Sequence, residues 1–489
     1  MATTRAAGEP SSGGVVRRLL GSPAFLFVLV SVVQKGIGFL LLPFFAAALQ
    51  PEGYGQVSLL VTVSAALTTI VSLGLEMAVF RSVFTSDRRE RSRETATLTT
   101  LLLVFPPLAT ALLAALVIGA DIDGLPVGNG PVALSVMAAG LTVAATTAPL
   151  AVLRATSRVG SYVRLSLLVT ALTTGAKVVG VVVLQEGVWG WAVADVVSAA
   201  LALIISLRWQ ARHLTGRPRA ADAEQGLRYG LPLVPHQVAH WGLSLADRLV
   251  LGALVGASAV GVYSVGYQIA LVAQMVVTEL SRASMPAYGE VARGDRDWPA
   301  LRAVVGRKIL ASSVVCGLVA MWGGAVVSVV LPPGYEGARS YVPWVCLGAF
   351  FISLYYVPMN LLSLVAGKTG SVWAASAIAA LTNVLMNLAL IPRFGAIAAA
   401  VNTAVGYGVL LALLSLLARR QLAMLGRPSR QVMLDVGLVS LVSLVAVLVG
   451  TGRGAPVELL APATGTAIVL GIVARRYSSH RPVDVRRGL

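Results

Sequence analysis

Charged residues are scarce in this sequence: Asp, Glu, Lys and Arg make up 12% of its 489 residues, whereas 57% of the residues are hydrophobic. An average soluble domain is about 25% charged. A water-soluble protein of this length would have too little polar surface to cover its apolar side chains. The composition therefore excludes a soluble fold and predicts a polytopic membrane protein.

Cysteine is almost absent as well, and both Cys316 and Cys346 lie inside apolar runs. We interpret them as small buried hydrophobic residues rather than as a disulfide or a metal-binding pair. The segment "AGKTG" at 366–370 has Leu362 where a phosphate-binding loop needs its first glycine. The sequence thus predicts no cofactor, no metal site and no ATPase within the chain.

Long hydrophilic loops are also missing, because the longest hydrophilic segments lie only around 208–228 and 287–307. An enzyme that polymerises or transfers glycans outside the cell usually needs a larger outer loop or domain. The sequence therefore favours a protein that is not an enzyme, and a membrane glycan polymerase or ligase is the least favoured alternative.

Apolar runs dominate what remains, and a run of about 20 residues is enough to span a bilayer. The first run, 24–46, imitates a signal peptide but is long enough to cross the membrane by itself, so we interpret it as a membrane helix. The sequence predicts an all-α protein with about fourteen transmembrane helices, named here spans 1 to 14: 24–46, 57–80, 97–119, 132–153, 165–184, 191–208, 229–252, 261–283, 308–331, 341–364, 372–391, 396–417, 433–450 and 459–474.

Basic residues are distributed very unevenly among the connecting segments. If the N-terminus is cytoplasmic, the outer loops hold only Arg339, Arg393 and Arg453 of the 38 Lys and Arg residues. Lys35, Lys177 and Arg248 lie inside predicted spans, and all the others are cytoplasmic. Cytoplasmic loops of membrane proteins carry an excess of basic residues, so both termini are predicted to be cytoplasmic. This pattern explains the net charge of +17 without a nucleic-acid partner.

Spans 1 to 6 repeat as spans 7 to 12 at an offset of 206 residues, although the third pair fits less well. At this offset Gly55 and Ser58 fall on Gly261 and Ser264. An even number of helices separates the copies, so the repeats are parallel and related by an axis along the membrane normal. The repeat predicts two six-helix lobes with a substrate site at their interface, which favours a transporter.

Span 5 carries one polar stripe on an otherwise apolar surface. Its residues fall within roughly 100° of the helix circumference, so this face should contact protein or water. They are Ser166, Thr170, Thr173, Thr174 and Lys177, and the corresponding face of span 11 carries Ser376, Asn383 and Asn387. We expect both lobes to direct these polar groups toward the same place, with charge only in the first lobe.

Span 7 carries His236, His240 and Asp247 on one face, within about 40° of each other. Arg248 lies off this face and is expected to snorkel toward the outer end. Zinc binding is the least favoured role for the histidines. A structural hydrogen bond and a role in ion coupling or cavity polarity remain open alternatives, and imidazole suits a proton relay because it titrates near physiological pH.

Other polar groups interrupt the apolar runs: Gln34 beside Lys35 in span 1, Glu76 and Arg81 at the inner end of span 2, and Asp195 in span 6. Asp195 lies at a depth within reach of Lys177, so a structural ion pair is as plausible as a ligand role. Arg81 is alternatively an interface anchor. Buried lysines favour an anionic substrate portion such as phosphate or pyrophosphate, whereas hydroxyls and amides suit sugars.

Three separated regions resemble polysaccharide repeat-unit flippases. The motifs are "PEGYG" (51–55) followed by "GLEMAVFR" (74–81), then "ADRLVLG" (246–252) followed by "VGVYS" (260–264), and finally "NVLMN" (383–387) followed by "IPRFG" (391–395). The spacing between these regions fits along most of the chain. The sequence is therefore similar to the multidrug/oligosaccharidyl-lipid/polysaccharide (MOP) exporter superfamily.

This resemblance implies a V-shaped pair of lobes that carries undecaprenyl-pyrophosphate-linked oligosaccharide to the outer leaflet by alternating access, coupled to an ion gradient or the membrane potential. Fourteen spans point toward the related lipid II flippases, but span 1 lacks the Arg-Asp-type pair expected there. The drug/cation antiporters of the same superfamily are the main alternative, although buried lysines disfavour a cationic substrate.

We therefore predict two groups of site residues. Substrate binding is assigned to Gln34, Lys35, Arg81, Thr170, Thr174, Lys177, Arg248, Asn383 and Asn387, and ion coupling to Glu76, Asp195, His236, His240 and Asp247. The expected partners are the lipid-linked glycan, membrane lipids, a glycan polymerase and glycosyltransferases, in a bacterial cytoplasmic membrane.

The expected domain organisation follows from the repeat. It comprises a tail (1–23), an N-lobe (24–208), a cytoplasmic linker (209–228), a C-lobe (229–417), and spans 13 and 14 with a second tail (418–489).

Overall fold

The computed structural model describes residues 23–85, 87–121, 126–213, 216–294, 297–450 and 455–479. These residues form helices joined by short turns, with no strand among them. Eleven of the described helices are long and apolar enough to cross a membrane, and a shorter apolar helix covers Leu459–Arg475. The predicted all-α polytopic fold is confirmed.

The observed helices keep the order of the fourteen predicted spans. Span 1 is Pro23–Leu40 continued by 42–49, span 2 is 51–71 continued by Leu75–Ser82, and the others are Arg88–Ala120, Asn129–Ala155, Val159–Lys177, Gly187–His213, Val234–Leu254, Ala257–Ala283, Trp298–Val330, Val342–Asn360, Thr369–Phe394, Ala396–Leu417, Arg430–Gly450 and Ala455–Ser479. Short π-helical turns, Val178–Val183 and Leu361–Val365, extend spans 5 and 10.

Spans 1 and 2 are joined by a single bent residue rather than by the predicted loop. Gln50 has φ 55° and ψ 172°, and Pro51 begins the next helix immediately. Proline suits the first position of a helix because its missing N–H would be unpaired there. The polar and glycine residues of 50–56 resemble a loop in composition, but they form the first turns of span 2.

Spans 3 and 9 are longer than hydropathy predicts. Each contains 33 residues, and each begins after an aspartate whose side chain caps the helix: Asp87 accepts from Arg89 N, and Asp297 accepts from Ala300 N. The first turns of both helices contain arginines, so a search for apolar runs does not include them. The capping aspartates are 210 residues apart, which explains why the third helix pair fits the 206-residue offset poorly.

Spans 1 to 6 and spans 7 to 12 pack as two helical lobes, while spans 13 and 14 pack against span 9. Trp322 of span 9 donates a hydrogen bond to Thr466 of span 14 at 3.0 Å. The linker contains the helix Ala220–Gly230, which is held on span 3 by an ion pair of 2.7 Å between Arg93 and Asp222. The residue limits of the lobes stay predictions.

The two ends of the helical bundle differ in charge. The arginine-rich connections 81–94, 154–164, 208–228 and 284–307 share one end, called here the basic face. The turn at Gln50 and the connections 184–187, 254–257 and 331–341 share the other end, called the opposite face. Spans 2 and 8 both begin at the opposite face.

Spans 2 and 8 cross at two glycines that are equivalent in the repeat. A Cβ atom on Gly55 would lie 1.7 Å from the carbonyl oxygen of Ala257, and one on Gly261 would lie 1.9 Å from that of Pro51. Both glycines and both carbonyl residues are 206 positions apart. The crossing therefore lies on a pseudo-twofold axis between the lobes, as the repeat predicts.

Candidate functional site

Spans 1 and 5 share a polar contact built from predicted site residues. Gln34 Nε2 donates to Thr170 Oγ1 at 2.8 Å and reaches the Ser166 carbonyl oxygen at 3.4 Å. Thr174 is partly exposed one turn further along span 5, and the Gln34 side chain is exposed. The side chain of Lys35 lies outside the described part of the structure.

Lys177 ends the regular α-helix of span 5 and is paired with an acid. Its Nζ lies 2.8 Å from Asp195 Oδ1 of span 6 and 4.0 Å from the centre of the Trp191 ring. The two charged side chains are 15% and 23% exposed, so the pair is largely withdrawn from solvent. The ion pair anticipated from their depth is present, and it neutralises the charge of Lys177 in this conformation.

Asn383 and Asn387 form the counterpart of this pair in the C-lobe. Asn383 Nδ2 donates to the Asn402 carbonyl oxygen at 2.9 Å, Asn387 Nδ2 donates to Asn383 Oδ1 at 3.1 Å, and Asn402 Nδ2 donates to Asn387 Oδ1 at 2.9 Å. All three residues are fully buried. They join spans 11 and 12 and do not reach the polar surface of spans 1 and 5, contrary to our expectation of one shared location.

Span 7 carries a buried charged cluster rather than a snorkelling arginine. Arg248 is 6% exposed, lies 3.2 Å from Asp247 Oδ1, and covers the Tyr267 ring at 4.4 Å from its centre. Tyr263 donates to Asp247 Oδ2 at 2.5 Å, and Thr403 lies 3.4 Å from the same oxygen. The predicted snorkelling of Arg248 is wrong, because the neighbouring Asp247 and the aromatic rings of span 8 hold the guanidinium inside the protein.

His236 and His240 have a different environment from Asp247. Both imidazoles are exposed in the structure, whereas Asp247 is buried among Tyr263 and Thr403. The single titratable line expected along span 7 is thus divided into an exposed part toward the basic face and a buried part toward the opposite face. The role of the histidines in coupling stays a prediction.

The lobes meet along a seam, defined by Ala46, Tyr54, Gly55, Gly261 and Tyr335, at the opposite face. Tyr335 donates to the Ala46 carbonyl oxygen at 3.2 Å, and its ring packs edge-on against that of Tyr54 at 6.3 Å between centres. Tyr335 is fully buried. In this conformation the seam closes the opposite face between the lobes.

Two further contacts continue from the seam toward the basic face. Trp241 Nε1 of span 7 donates to the Thr62 carbonyl oxygen of span 2 at 3.1 Å. A Cβ atom on Gly252 of span 7 would lie 2.9 Å from a methyl carbon of Leu59. Span 2 therefore follows both span 7 and span 8 of the other lobe.

Glu76 and Arg81 lie at the basic face and do not pair with each other. Glu76 Oε1 is 3.2 Å from Arg154 Nη1 of span 4. Arg81 covers the Tyr229 ring at 5.1 Å and borders a surface cleft of about 480 Å³ that Arg228 also lines. Both side chains are partly or fully exposed, so this end of the molecule presents an accessible basic surface.

Lys308 is a buried cation that the sequence predicts at the cytoplasmic end of span 9. It is 4% exposed and donates to the Ser353 carbonyl oxygen at 2.8 Å. The predicted start of span 9 fell at this residue, whereas the helix begins at Trp298 and places Lys308 three turns inside. Asp297 is a typical N-cap residue, and a helix that begins after it would include Lys308.

A protein-family model described as "Polysaccharide biosynthesis protein" matches residues 20–291, which is more than half of the sequence. The chain belongs to this family. The match covers the whole N-lobe, the linker, and spans 7 and 8, so it includes Lys177, Asp195 and the Asp247–Arg248 cluster. A comparison with curated protein sequences found no match.

Solved structures share the fold across nearly the whole chain. A lipid II flippase MurJ in an inward closed conformation has a TM-score of 0.71 at 10% identity and covers 92% of this chain and 99% of its own. An inward-facing multidrug resistance MATE transporter of the MOP superfamily has a TM-score of 0.62 at 15% identity, covering 80% and 95%. A MOP superfamily transporter from Pyrococcus furiosus, titled for the reverse polarity of its binding pocket, has a TM-score of 0.57 at 15% identity, covering 86% and 99%.

These solved structures show that this member of the polysaccharide biosynthesis family has the same fold as the lipid II flippase and the MATE transporter. At 10–15% identity these similarities concern the fold alone. The predicted roles in binding and coupling remain predictions, although the structure brings together Gln34 with Thr170, Lys177 with Asp195, and Asp247 with Arg248.

Proposed function

We propose that this protein is a flippase that moves undecaprenyl-pyrophosphate-linked oligosaccharide from the inner to the outer leaflet of a bacterial cytoplasmic membrane. The match of residues 20–291 to the polysaccharide biosynthesis family carries the proposal. Structural similarity to a lipid II flippase over 92% of the chain supports it, because that relative is named for a lipid-linked substrate.

The arginine-rich loops support an orientation with the basic face and both termini in the cytoplasm. The closed seam then faces the periplasmic side. Substrate enters from the cytoplasmic side, and the lobes separate at the seam to release it, so the transport mechanism is alternating access. Glycosyltransferases that build the glycan and a polymerase that extends it are the expected partners on the two sides.

Lys177 and Asp195 provide a mechanism for coupling substrate to conformation. In the observed conformation, Asp195 compensates the cation at 2.8 Å. A pyrophosphate that approaches Lys177 competes with this carboxylate, and protonation of Asp195 makes the exchange favourable. Lys35 supplies a second cation, while Gln34, Thr170 and Thr174 donate hydrogen bonds to phosphate or sugar oxygens.

Arg81 at the entrance attracts the anionic head of the substrate, and Glu76 tunes this charge through Arg154. Asp247 and Arg248 lie close to the seam in the buried cluster, where protonation of the acid weakens the packing of span 7 on span 8. His236 and His240 at the exposed end of span 7 relay protons toward this cluster.

Reconstitution into proteoliposomes tests the proposal. Wild-type protein should flip a fluorescent undecaprenyl-pyrophosphate oligosaccharide under an imposed ion gradient, and Lys35→Ala and Lys177→Ala should lose most of this activity while remaining folded. Lys368→Ala is the matched control, because it removes an exposed lysine in the connection between spans 10 and 11. If wild type exports cationic dyes and moves no lipid, the drug-antiporter alternative replaces the proposal.

A further inference from the structure

A cleft of about 290 Å³ opens between spans 3, 4 and 6 at the basic face, away from the contacts between the lobes. Its wall combines basic side chains from the start of span 3, hydroxyl groups from the following turns of that helix, and apolar side chains from span 4. Its lining includes Arg88, Arg91, Thr95, Thr99, Pro149 and Gln210. No role in the transport cycle described above uses this cleft.

The basic part of the cleft comes from Arg88 and Arg91, which are three residues apart in the first turn of span 3. Residues with this spacing share one face of a helix. Neither guanidinium takes part in the ion pairs found among the described residues. The positive end of the helix dipole adds to their charge, so the mouth of the cleft favours an anion.

Gln210 on the floor of the cleft provides an independent indication of a ligand. It is 1% exposed, and its Nε2 donates to Ser206 Oγ at 2.8 Å and approaches the Ala144 carbonyl oxygen at 3.4 Å. Its Oε1 is buried without a hydrogen-bond partner in the described structure. Buried polar atoms are almost always paired, so this oxygen calls for a donor such as a hydroxyl group.

We propose that this cleft binds an anionic phospholipid whose headgroup carries hydroxyl groups, with phosphatidylglycerol as the simplest example. The phosphate contacts Arg88 and Arg91, and a small rotation of the Gln210 side chain lets Oε1 accept a hydrogen bond from a headgroup hydroxyl. Trp209 borders the cleft at the depth of the membrane interface, where indole rings are favoured. Ala148, Pro149 and Val152 provide an apolar wall for the start of the acyl chains.

Native mass spectrometry of the purified full-length protein tests the site by titrating phosphatidylglycerol, phosphatidic acid and phosphatidylethanolamine separately. Phosphatidylglycerol should bind most tightly at a pH above 8, because fully ionised phosphatidic acid has no hydroxyl donor and phosphatidylethanolamine has no headgroup alcohol. Soluble glycerophosphoglycerol should compete weakly at most. Equal binding of phosphatidylglycerol and phosphatidic acid, or displacement by the soluble headgroup at matched concentration, overturns the proposal.

Variants separate charge from headgroup recognition. Arg88→Gln and Arg91→Gln should each weaken binding of both anionic lipids about fivefold, since one basic side chain near an anionic lipid contributes about 1 kcal/mol. Arg307→Gln removes an exposed arginine near the same face in span 9 and should leave binding unchanged. Equal losses in all three variants would indicate a general charge effect and refute a site.

Gln210→Met removes the unpaired acceptor with little change in size. It should abolish the preference for phosphatidylglycerol over phosphatidic acid while leaving the affinity for phosphatidic acid unchanged. A preference that survives this substitution contradicts the assigned role of Gln210. The comparison of lipids in the wild-type protein tests the site independently if this variant folds poorly.

Discussion

Lys177 and Asp195 hold spans 5 and 6 together with charge, where the second lobe uses the neutral amides of Asn383 and Asn402 for spans 11 and 12. The repeat places these contacts at nearly equivalent positions. A hydrogen bond between neutral groups is thus sufficient to join two helices at this position. The ion pair in the first lobe, unlike the neutral contact, can be broken by an anion that binds Lys177 or by a proton that binds Asp195. We therefore assign coupling to this ion pair.

Replacing the Lys177–Asp195 ion pair with neutral amides should restore the stability of the fold without restoring transport. Lys177→Gln alone leaves Asp195 without its partner and should reduce the free energy of unfolding by about 1–3 kcal/mol. Lys177→Gln combined with Asp195→Asn should recover most of that loss but not the flipping activity. Denaturant titration in mixed micelles and the proteoliposome assay measure the two quantities. A double variant that flips at the wild-type rate would show that the charges are purely structural.

The tyrosine hydroxyls near the seam should differ in their contribution to stability. Tyr263 donates to a buried carboxylate, whereas Tyr335 donates to a neutral carbonyl oxygen. Hydrogen bonds to charged groups contribute about 1.5–3 kcal/mol and neutral ones about 0.5–1.5 kcal/mol. Tyr263→Phe should therefore cost more free energy of unfolding than Tyr335→Phe. Equal costs would indicate that Asp247 is not held as an ionised acceptor by Tyr263.

Among the helices, the crossing of spans 2 and 8 is the contact on which the arrangement of the lobes depends. Two backbones can approach this closely only where both helices lack a Cβ atom, and small residues serve this purpose in membrane proteins. Because the crossing glycines are repeat-equivalent, each lobe contributes the same surface. The crossing therefore joins the two halves at the seam through equivalent surfaces.

Adding one methyl group at the crossing should disturb it. Gly55→Ala and Gly261→Ala each place a Cβ atom within 2 Å of a backbone oxygen, so spans 2 and 8 must separate. We expect a large loss of folded protein or a shift away from the closed seam, measured by thermal unfolding and by cysteine labelling at the opposite face.

Gly119→Ala is the control, because a Cβ atom there meets nothing within 4 Å. It should leave stability unchanged or raise it slightly, since alanine is the better helix former. If Gly55→Ala behaves like Gly119→Ala, the close crossing is not required for the fold.

The sequence predicted the order and the repeat of the spans because apolar runs and basic loops are strong local signals. It misplaced the starts of spans 2, 3 and 9, where polar or basic residues continue a helix beyond its apolar part. Pro51, Asp87 and Asp297 mark those starts through helix-terminal chemistry rather than hydropathy.

The candidate site was predicted only in part. The pairing of Lys177 with Asp195 was predicted from their similar depth in the membrane. The depth of a residue can be estimated from its position within its own span. The burial of Arg248 and of the asparagines depends on which neighbouring helix faces them. That information belongs to the tertiary packing and has no signal within one span.

At the scale of the whole molecule, the lobes are joined at the opposite face by the seam and by the contact of span 7 with span 2. Transport by alternating access requires these contacts to break once in every cycle. Gly252 and Leu59 offer a position for testing this requirement, because a Cβ atom on Gly252 would lie 3.5 Å from Leu59 Cγ. Cysteine side chains introduced at these two positions would therefore lie close together, and oxidation can be used to test whether they form a disulfide.

The most direct measurement is the flipping of fluorescent undecaprenyl-pyrophosphate oligosaccharide by Leu59→Cys/Gly252→Cys, in a background with Cys316→Ala and Cys346→Ala. The account predicts that the oxidised protein is inactive, that reduction restores flipping, and that each single-cysteine variant is active under both conditions. Flipping at the same rate by the fully cross-linked protein would contradict alternating access between these lobes.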